Sequence, residues 1–190
     1  MGSIMIVSSS PKGTELLVEL LKAQDLTSLT PVTSGGEARR KLVQDEFEIV
    51  IINTPLSDEF GQELAYFITE RTEAGVIMLV KSELVGDIGL QAEDYGVFVV
   101  EKPIGKSLFY QAIKLVITSR RRMLGLKKEN LQLQNKIEEI RLVNRAKCVL
   151  IEYLNMSEEQ AHKYIEKQAM DRRTSRKSIA ESILKVYRDS

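Results

Sequence analysis

The side chains best suited to chemistry in this sequence are arginines and lysines clustered towards its C-terminal end. They fall on faces of short helical patterns that a small bundle would not need for its core. Clustered positive side chains bind phosphate groups and release counterions as they do so. We therefore predict a basic surface for a nucleic acid, formed by Arg141, Arg145, Lys147, Arg172, Arg173, Arg176 and Lys177. The plainer alternative is a charged, solvated surface.

Residues for catalysis or metal binding are not grouped in this way. The sequence has one histidine, His162, and one cysteine, Cys148, and neither has the neighbours of a metal site or of a nucleophile–base pair. We expect no catalytic residues, no cofactor and no metal. His162 is expected to be solvated, and Cys148 to act as a small hydrophobic side chain in an apolar helical run.

A net charge of zero conceals a division of charge along the chain. Residues 1–118 hold 10 Lys and Arg against 17 Asp and Glu, whereas residues 119–190 hold 17 against 10. This asymmetry predicts an acidic module joined to one with an anionic partner. No secretory leader and no apolar run approaching about 18 residues is evident, so we expect a soluble, cytoplasmic protein without membrane contact.

Apolar runs and helix-length segments alternate through residues 1–118. The runs resemble strands buried on both faces: Ile4–Val7, Glu48–Ile52, Gly75–Val80 and Gly96–Val100. The helical patterns begin at Pro11, cover 35–44, 60–71 and 83–93, and resume at Gly105. We predict an α/β domain with a five-stranded parallel sheet, helices on both faces and the flavodoxin-like strand order 2-1-3-4-5.

Functional groups of such a sheet gather outside the carboxyl ends of its strands. Here those ends carry two hydroxyls, an amide, an apolar residue and an amine: Ser8, Ser9, Asn53, Val80 and Lys102. The spacing from Asn53 through Leu56 to Gly61, the Lys102-Pro103 pair and the strand rhythm resemble the receiver domain of bacterial response regulators. The resemblance covers roughly residues 3–120.

The residues that handle the phosphoryl group in that family are largely replaced. The family phosphorylates an aspartate where this chain has Asn53, and holds Mg²⁺ with acidic residues where it has Ser8 and Ser9. Val80 stands in place of the family's hydroxyl residue, and only Lys102 is retained. An amide is a poor nucleophile and a poor ligand for a hard dication. We predict a phosphorylation-incompetent pseudo-receiver, used for dimerisation or for docking a regulatory protein, with Lys102 bonded internally rather than to an anion.

Residues 119–140 are predicted to form a helical linker with a heptad repeat. Its apolar a and d positions, with one asparagine, are Met123, Leu126, Asn130, Leu133, Ile137 and Ile140. An asparagine at position a favours a defined register and a dimer, so we predict a parallel coiled-coil homodimer. The alternative is one long amphipathic helix packed on its own chain.

Residues 141–190 are predicted to form a small three-helix bundle. Ser157 and Gln160 make a capping box that starts its second helix, and Tyr153 and Tyr164 are expected to face the core. The segment resembles the ANTAR domain, an RNA-binding output module of bacterial regulators. The residues that carry this resemblance are Arg141, Ala146-Lys147, Ser157 to Ala161, Ala169-Met170 and Ile179-Ala180, with Cys148 where a glycine is usual.

That resemblance implies a function in transcription. The family binds structured nascent RNA, typically tandem stem-loops near a terminator, and prevents termination. The sequence thus predicts a response regulator that acts as an antiterminator on a hairpin-containing transcript. Two alternatives stay open. One is a DNA-binding regulator that uses a helix-turn-helix, and the other is a dimeric interaction scaffold that binds no nucleic acid.

Overall fold

The computed structural model describes residues 3–187 and divides the chain into two compact units, Met1–Leu124 and Gly125–Ser190. Residues 1–2 and 188–190 of the predicted first and third domains lie outside the described residues. The predicted domain limits at 118 and 140 remain predictions, because a single long helix runs across both positions.

The first unit is a parallel sheet covered by helices on both faces. Its strands are β1 (Ile4–Ser8), β2 (Leu29–Val32), β3 (Ile49–Asn53), β4 (Gly75–Lys81) and β5 (Val97–Lys102). Its helices are α1 (Pro11–Lys22), α2 (Gly35–Gln44), α3 (Gln62–Arg71), α4 (Val85–Asp94) and the start of α5 (Lys106–Leu154). All neighbouring strands are parallel in the order β2-β1-β3-β4-β5, which confirms the predicted flavodoxin-like arrangement.

Alternate side chains of the central strands enter two separate cores. Met5 of β1 and Val50 of β3 pack into one core, whereas Ile6 and Ile51, the next residues along, pack into the other. A strand covered on both faces can be apolar at every position, and β1 is buried along its whole length. These continuous apolar runs made the central strands recognisable in the sequence.

The edge strand β2 was counted in the prediction but not located in the sequence. It has four residues, Leu29–Val32, of which only Val32 is buried, and it contains Pro31. Proline lacks the N–H that a central strand needs, and is tolerated on an edge strand where that side of the backbone has no partner. A short, half-exposed strand with a proline gives no apolar run to detect.

Helix α5 has 49 residues and begins by packing against the sheet. Phe109, Ala112, Ile113 and Val116 are buried there. Gly75 permits this contact, because a Cβ at that position would lie 2.3 Å from Val116 Cγ1.

The second unit is a three-helix bundle, as predicted. The end of α5 packs with α6 (Glu158–Asp171) and α7 (Arg176–Val186). Its core consists of small and branched side chains: Val143, Ala146, Leu150, Ala161, Ile165, Ala169, Ile179, Ala180 and Ile183. The predicted capping box is present, since Gln160 N donates to Ser157 Oγ over 3.2 Å and Ser157 N donates to Gln160 Oε1 over 2.8 Å.

Three side chains assigned to the apolar interior are in fact exposed. Cys148 lies two residues from both Ala146 and Leu150, and therefore on the opposite side of α5 from the core. Tyr153 and Tyr164 are 51% and 38% exposed, although the Tyr153 ring packs against Tyr187 with 5.0 Å between ring centroids. The spacing of these residues correctly predicted helices. It did not predict which residues at the border of each apolar side would be buried.

Candidate functional site

A hydrogen-bonded chain of polar side chains lies at the carboxyl edge of the sheet. Parallel pairing places Ser8 of β1 beside Asn53 of β3. Asn53 Nδ2 donates to Ser8 Oγ over 2.9 Å, and Lys102 Nζ donates to Asn53 Oδ1 over 3.2 Å and to the carbonyl oxygen of Thr54. The expected internal bonding of Lys102 is therefore observed.

The two serines bond to neighbouring backbone. Ser8 is 2% exposed, and its Oγ donates to the carbonyl oxygen of Ser10 over 3.2 Å. Ser9 Oγ donates to the carbonyl oxygen of Pro55 over 3.0 Å. Both hydroxyls thus help to fix the loops after β1 and β3.

Gly13 in α1 allows the Asn53 amide to lie against the first turns of that helix. A Cβ on Gly13 would lie 2.5 Å from Asn53 Nδ2. Any larger residue would displace an amide that Ser8 and Lys102 hold from both sides. This contact was not predicted, and a glycine near the start of a helical pattern was its only sequence signal.

Four of the five predicted pocket residues gather around this network, and Val80 does not. Ser9, Asn53 and Lys102 line a cavity of about 450 Å³ together with Leu16 and Ile104, and Ser8 bonds to Asn53 from behind. The Val80 side chain is fully buried in a sheet core. Its apolar side chain offers no hydroxyl to the cavity.

The pocket carries a positive charge without a carboxylate. None of its lining residues is Asp or Glu. Burial of the Lys102 ammonium lowers its pKa, and the charge of Lys81 adds to that effect. Within residues 3–187, no group of three or more His, Cys, Asp or Glu side chains is placed to hold a metal ion. The lining of the pocket therefore lacks the carboxylates through which proteins usually bind Mg²⁺.

The loop after β3 is fastened to α2 by a clamp that sequence reasoning missed. Asp58 accepts from Gly35 N over 2.9 Å and from Gly36 N over 2.8 Å, and Glu59 forms an ion pair with Arg39. The N–H groups of Gly36 and Gly35 hold the pKa of the Asp58 carboxyl below its usual range. The clamp fixes the loop that also contains Pro55 and so shapes the pocket.

The seven residues of the predicted basic surface fall into two groups. Among the described residues, four arginines are exposed and have no ion-pair partner: Arg141, Arg145, Arg172 and Arg173. The other three pair with glutamates of the same unit. Lys147 is 3.1 Å from Glu158, Arg176 is 3.2 Å from Glu139, and Lys177 is 2.6 Å from Glu138.

The heptad stripe of α5, the six a and d residues from Met123 to Ile140, is exposed. Its five apolar side chains are between 51% and 64% exposed, and Asn130 is also exposed. Continuing the same heptad count, Ile151 and Leu154 are 38% and 46% exposed.

No helix within residues 3–187 combines the length and the apolar character needed to cross a bilayer. Helix α5 is long enough, but charged and polar residues interrupt it throughout.

Comparison with known proteins supports both resemblances. Residues 131–184 match the family model of the ANTAR domain. The transcriptional regulatory protein PdtaR of Mycobacterium tuberculosis, in strains CDC 1551 and H37Rv, is 29% identical over 171 residues, which cover 90% of this chain and 83% of that protein.

Solved receiver structures share the fold of the first unit. The signal receiver domain of an HD domain-containing protein from Pseudomonas fluorescens Pf-5 has a TM-score of 0.58 at 18% identity, covering 65% of this chain and 91% of that one. A two-component response regulator from Clostridium difficile has a TM-score of 0.54 at 20% identity, covering 65% of this chain and 98% of that one. The first unit thus has a receiver-like fold, and residues 131–184 of the chain match the ANTAR domain.

The Asn53 network yields a prediction for two glycine substitutions. Gly13→Ala should lower the free energy of unfolding by about 1 kcal/mol, because the new methyl group displaces the Asn53 amide and leaves buried polar groups unpaired. Gly89→Ala in α4 is the matched control. A Cβ there meets nothing within 4 Å, so the helix should gain about 0.5–1 kcal/mol. Denaturant unfolding of the first unit measures both values, and an equal gain in the two variants would contradict the network.

Proposed function

We propose that this chain is a homodimeric, RNA-binding transcription antiterminator whose receiver-like domain works without phosphorylation. The observation that carries the proposal is a set of four exposed arginines on a bundle that matches the ANTAR domain, none of them in an ion pair with another described residue. The similarity to a transcriptional regulatory protein supports a role in transcription. Binding hairpins of a nascent transcript, the chain would act in the cytoplasm and have no catalytic role.

Arginine is better suited to binding RNA than the other side chains of the bundle. Its planar guanidinium donates two parallel hydrogen bonds to a phosphate and also stacks on exposed bases. Arg172 is the C-cap of α6, and Arg173 follows in the left-handed backbone region with φ of 50°, so the chain turns sharply here. A turn that presents two adjacent arginines fits the irregular backbone of an RNA loop.

Removal of the two turn arginines tests the RNA-binding surface. Arg172→Ala with Arg173→Ala should weaken binding to an RNA with two tandem hairpins by roughly tenfold at low salt. It should also flatten the dependence of log affinity on log salt by about 1–2 units. The control is Lys12→Ala with Lys22→Ala, which removes the same charge from exposed positions of α1. Equal losses in the two double variants would contradict a defined contact surface.

The dimer rests on the exposure of the heptad stripe. A helix segment that exposes five large apolar residues on one side, as this one does within residues 3–187, is poorly stabilised in water. A second copy would cover these residues, and Asn130 at position a would pair with Asn130 of that copy. Two bundles held together in this way could engage two adjacent hairpins, with the gain that effective concentration provides.

Two leucines that are two residues apart in the sequence test whether the heptad stripe forms the dimer contact. Leu133 occupies position d, whereas Leu131 is similarly exposed, 52% against 59%, but lies outside the a and d positions. Leu133→Lys should weaken dimerisation at least 100-fold, because each copy would place one ammonium group between the two apolar stripes. Leu131→Lys should stay dimeric. Sedimentation equilibrium measures the molecular mass of both variants in solution, and equal masses would contradict a dimer formed through the heptad stripe.

The pocket chemistry supports a receiver that does not use a phosphoryl group. Asn53 is an amide bound on both sides by Ser8 and Lys102, and no carboxylate lines the cavity. Regulation would then come from abundance or from a protein partner on the receiver surface. Neither a Mg²⁺ ion nor a nucleophile is needed for such a role.

Phosphodonor labelling tests this part of the proposal. Wild-type protein incubated with acetyl phosphate and Mg²⁺ should incorporate no label above a sample treated with a chelator. Asn53→Asp should stay unlabelled too, since a carboxylate at that position still lacks the acidic neighbours that hold Mg²⁺. Stoichiometric, Mg²⁺-dependent labelling of the wild type would refute a phosphorylation-free receiver.

A further inference from the structure

Two adjacent glutamates in α5 hold two cations of the predicted basic surface. Lys177 Nζ donates to Glu138 Oε2 over 2.6 Å, and Arg176 Nε donates to Glu139 Oε1 over 3.2 Å. Arg176 also lies 3.7 Å from Glu166 of α6. The hydrogen bond that Lys177 donates to Glu138 raises the pKa of Lys177, with the charges of nearby glutamates acting in the same direction.

We propose that Glu138 and Glu139, named here the carboxylate pair, are an internal competitor for RNA phosphate on Arg176 and Lys177. This inference rests on the proposed RNA-binding function and adds a regulatory contact to it. A carboxylate and a phosphate offer the same kind of anionic oxygen to an arginine or a lysine, so one can replace the other. RNA must displace the carboxylate pair before it can use the start of α7.

The exposure of these ion pairs makes the exchange feasible. The four side chains are between 31% and 57% exposed, so water and a ligand can reach every one of them. Partly exposed ion pairs contribute little to stability and open readily. The carboxylate pair therefore lowers affinity for a polyanion that places phosphate against Arg176 and Lys177, because that ligand must first break the ion pairs. A polyanion that binds elsewhere on the bundle leaves them intact.

The carboxylate pair and the heptad stripe occupy different sides of the same turn of α5. Ile137 and Ile140 are at heptad positions a and d. Glu138 and Glu139 are therefore at positions b and c, outside the heptad stripe. Dimerisation through the stripe would therefore leave the carboxylate pair free to hold α7 of its own chain. Each protomer would have its own competitor.

The test is the affinity of Glu138→Gln with Glu139→Gln for the tandem-hairpin RNA. Neutral glutamines keep the size of the side chains but remove the ion pair of Lys177 with Glu138 and leave Arg176 with Glu166 alone. We expect binding about three- to tenfold tighter at low salt and a salt dependence about 1–2 units steeper, because two more cations shed counterions on binding. The control, Glu129→Gln with Glu152→Gln, makes the same charge change at exposed positions of α5 and should change affinity less than about twofold.

A mutant cycle separates competition from simple repulsion of RNA by glutamate. If the carboxylate pair acts through Arg176 and Lys177, its neutralisation should give no gain in a background of Arg176→Gln with Lys177→Gln. An unchanged gain in that background would overturn the inference. Measuring Glu138→Gln and Glu139→Gln singly, with circular dichroism to verify folding, keeps the test valid if the double variant is unstable.

Failure of the inference differs from failure of the proposed function. If the wild type binds the RNA and the double glutamine variant binds no more tightly than its control, the carboxylate pair is not a competitor and the RNA-binding function stands. If neither the wild type nor the glutamine variant binds RNA, the proposed function fails, and the inference fails with it.

Discussion

One helix, α5, must bury apolar side chains in two different cores while leaving a third apolar set exposed between them. Phe109 and Val116 belong to a core of the sheet, whereas Val143 and Leu150 belong to the core of the bundle. Between them the heptad stripe has no partner among the described residues. The amphipathic sides of α5 thus decide which residues fold each unit and which stay exposed.

In the receiver-like unit, polar side chains from three strands meet at one edge of the sheet. Strand pairing still brings positions 8, 53 and 102 together at the carboxyl edge of the sheet. With Asn53 and Ser8 in place of acids, the Lys102 ammonium faces neutral oxygens, and its bonds hold the loops in one arrangement. The Lys102 ammonium has its hydrogen-bond acceptors within the protein, and these bonds link the end of β5 to the end of β3.

Features that depend on local periodicity were predictable from the sequence, and those that depend on long-range pairing were not. The central strands, most of the helices and the capping box at Ser157 follow from apolar runs and turn residues. The strand β2 was missed because Pro31 breaks its pattern. The exposure of Cys148 was mispredicted because the sequence does not mark where the buried side of α5 ends. The partners of Arg176 and Lys177 come from another helix, so no local pattern reveals them.

The most direct test of the central claim is a titration of the unphosphorylated protein against three ligands at two salt concentrations: an RNA with two tandem hairpins, an RNA with one of them, and a DNA duplex of the same length. The account predicts selective binding of RNA, with the tandem hairpins bound at least tenfold more tightly than the single one, because two linked bundles engage them together. Equal affinity for the DNA duplex, or no binding without a phosphodonor, would contradict it.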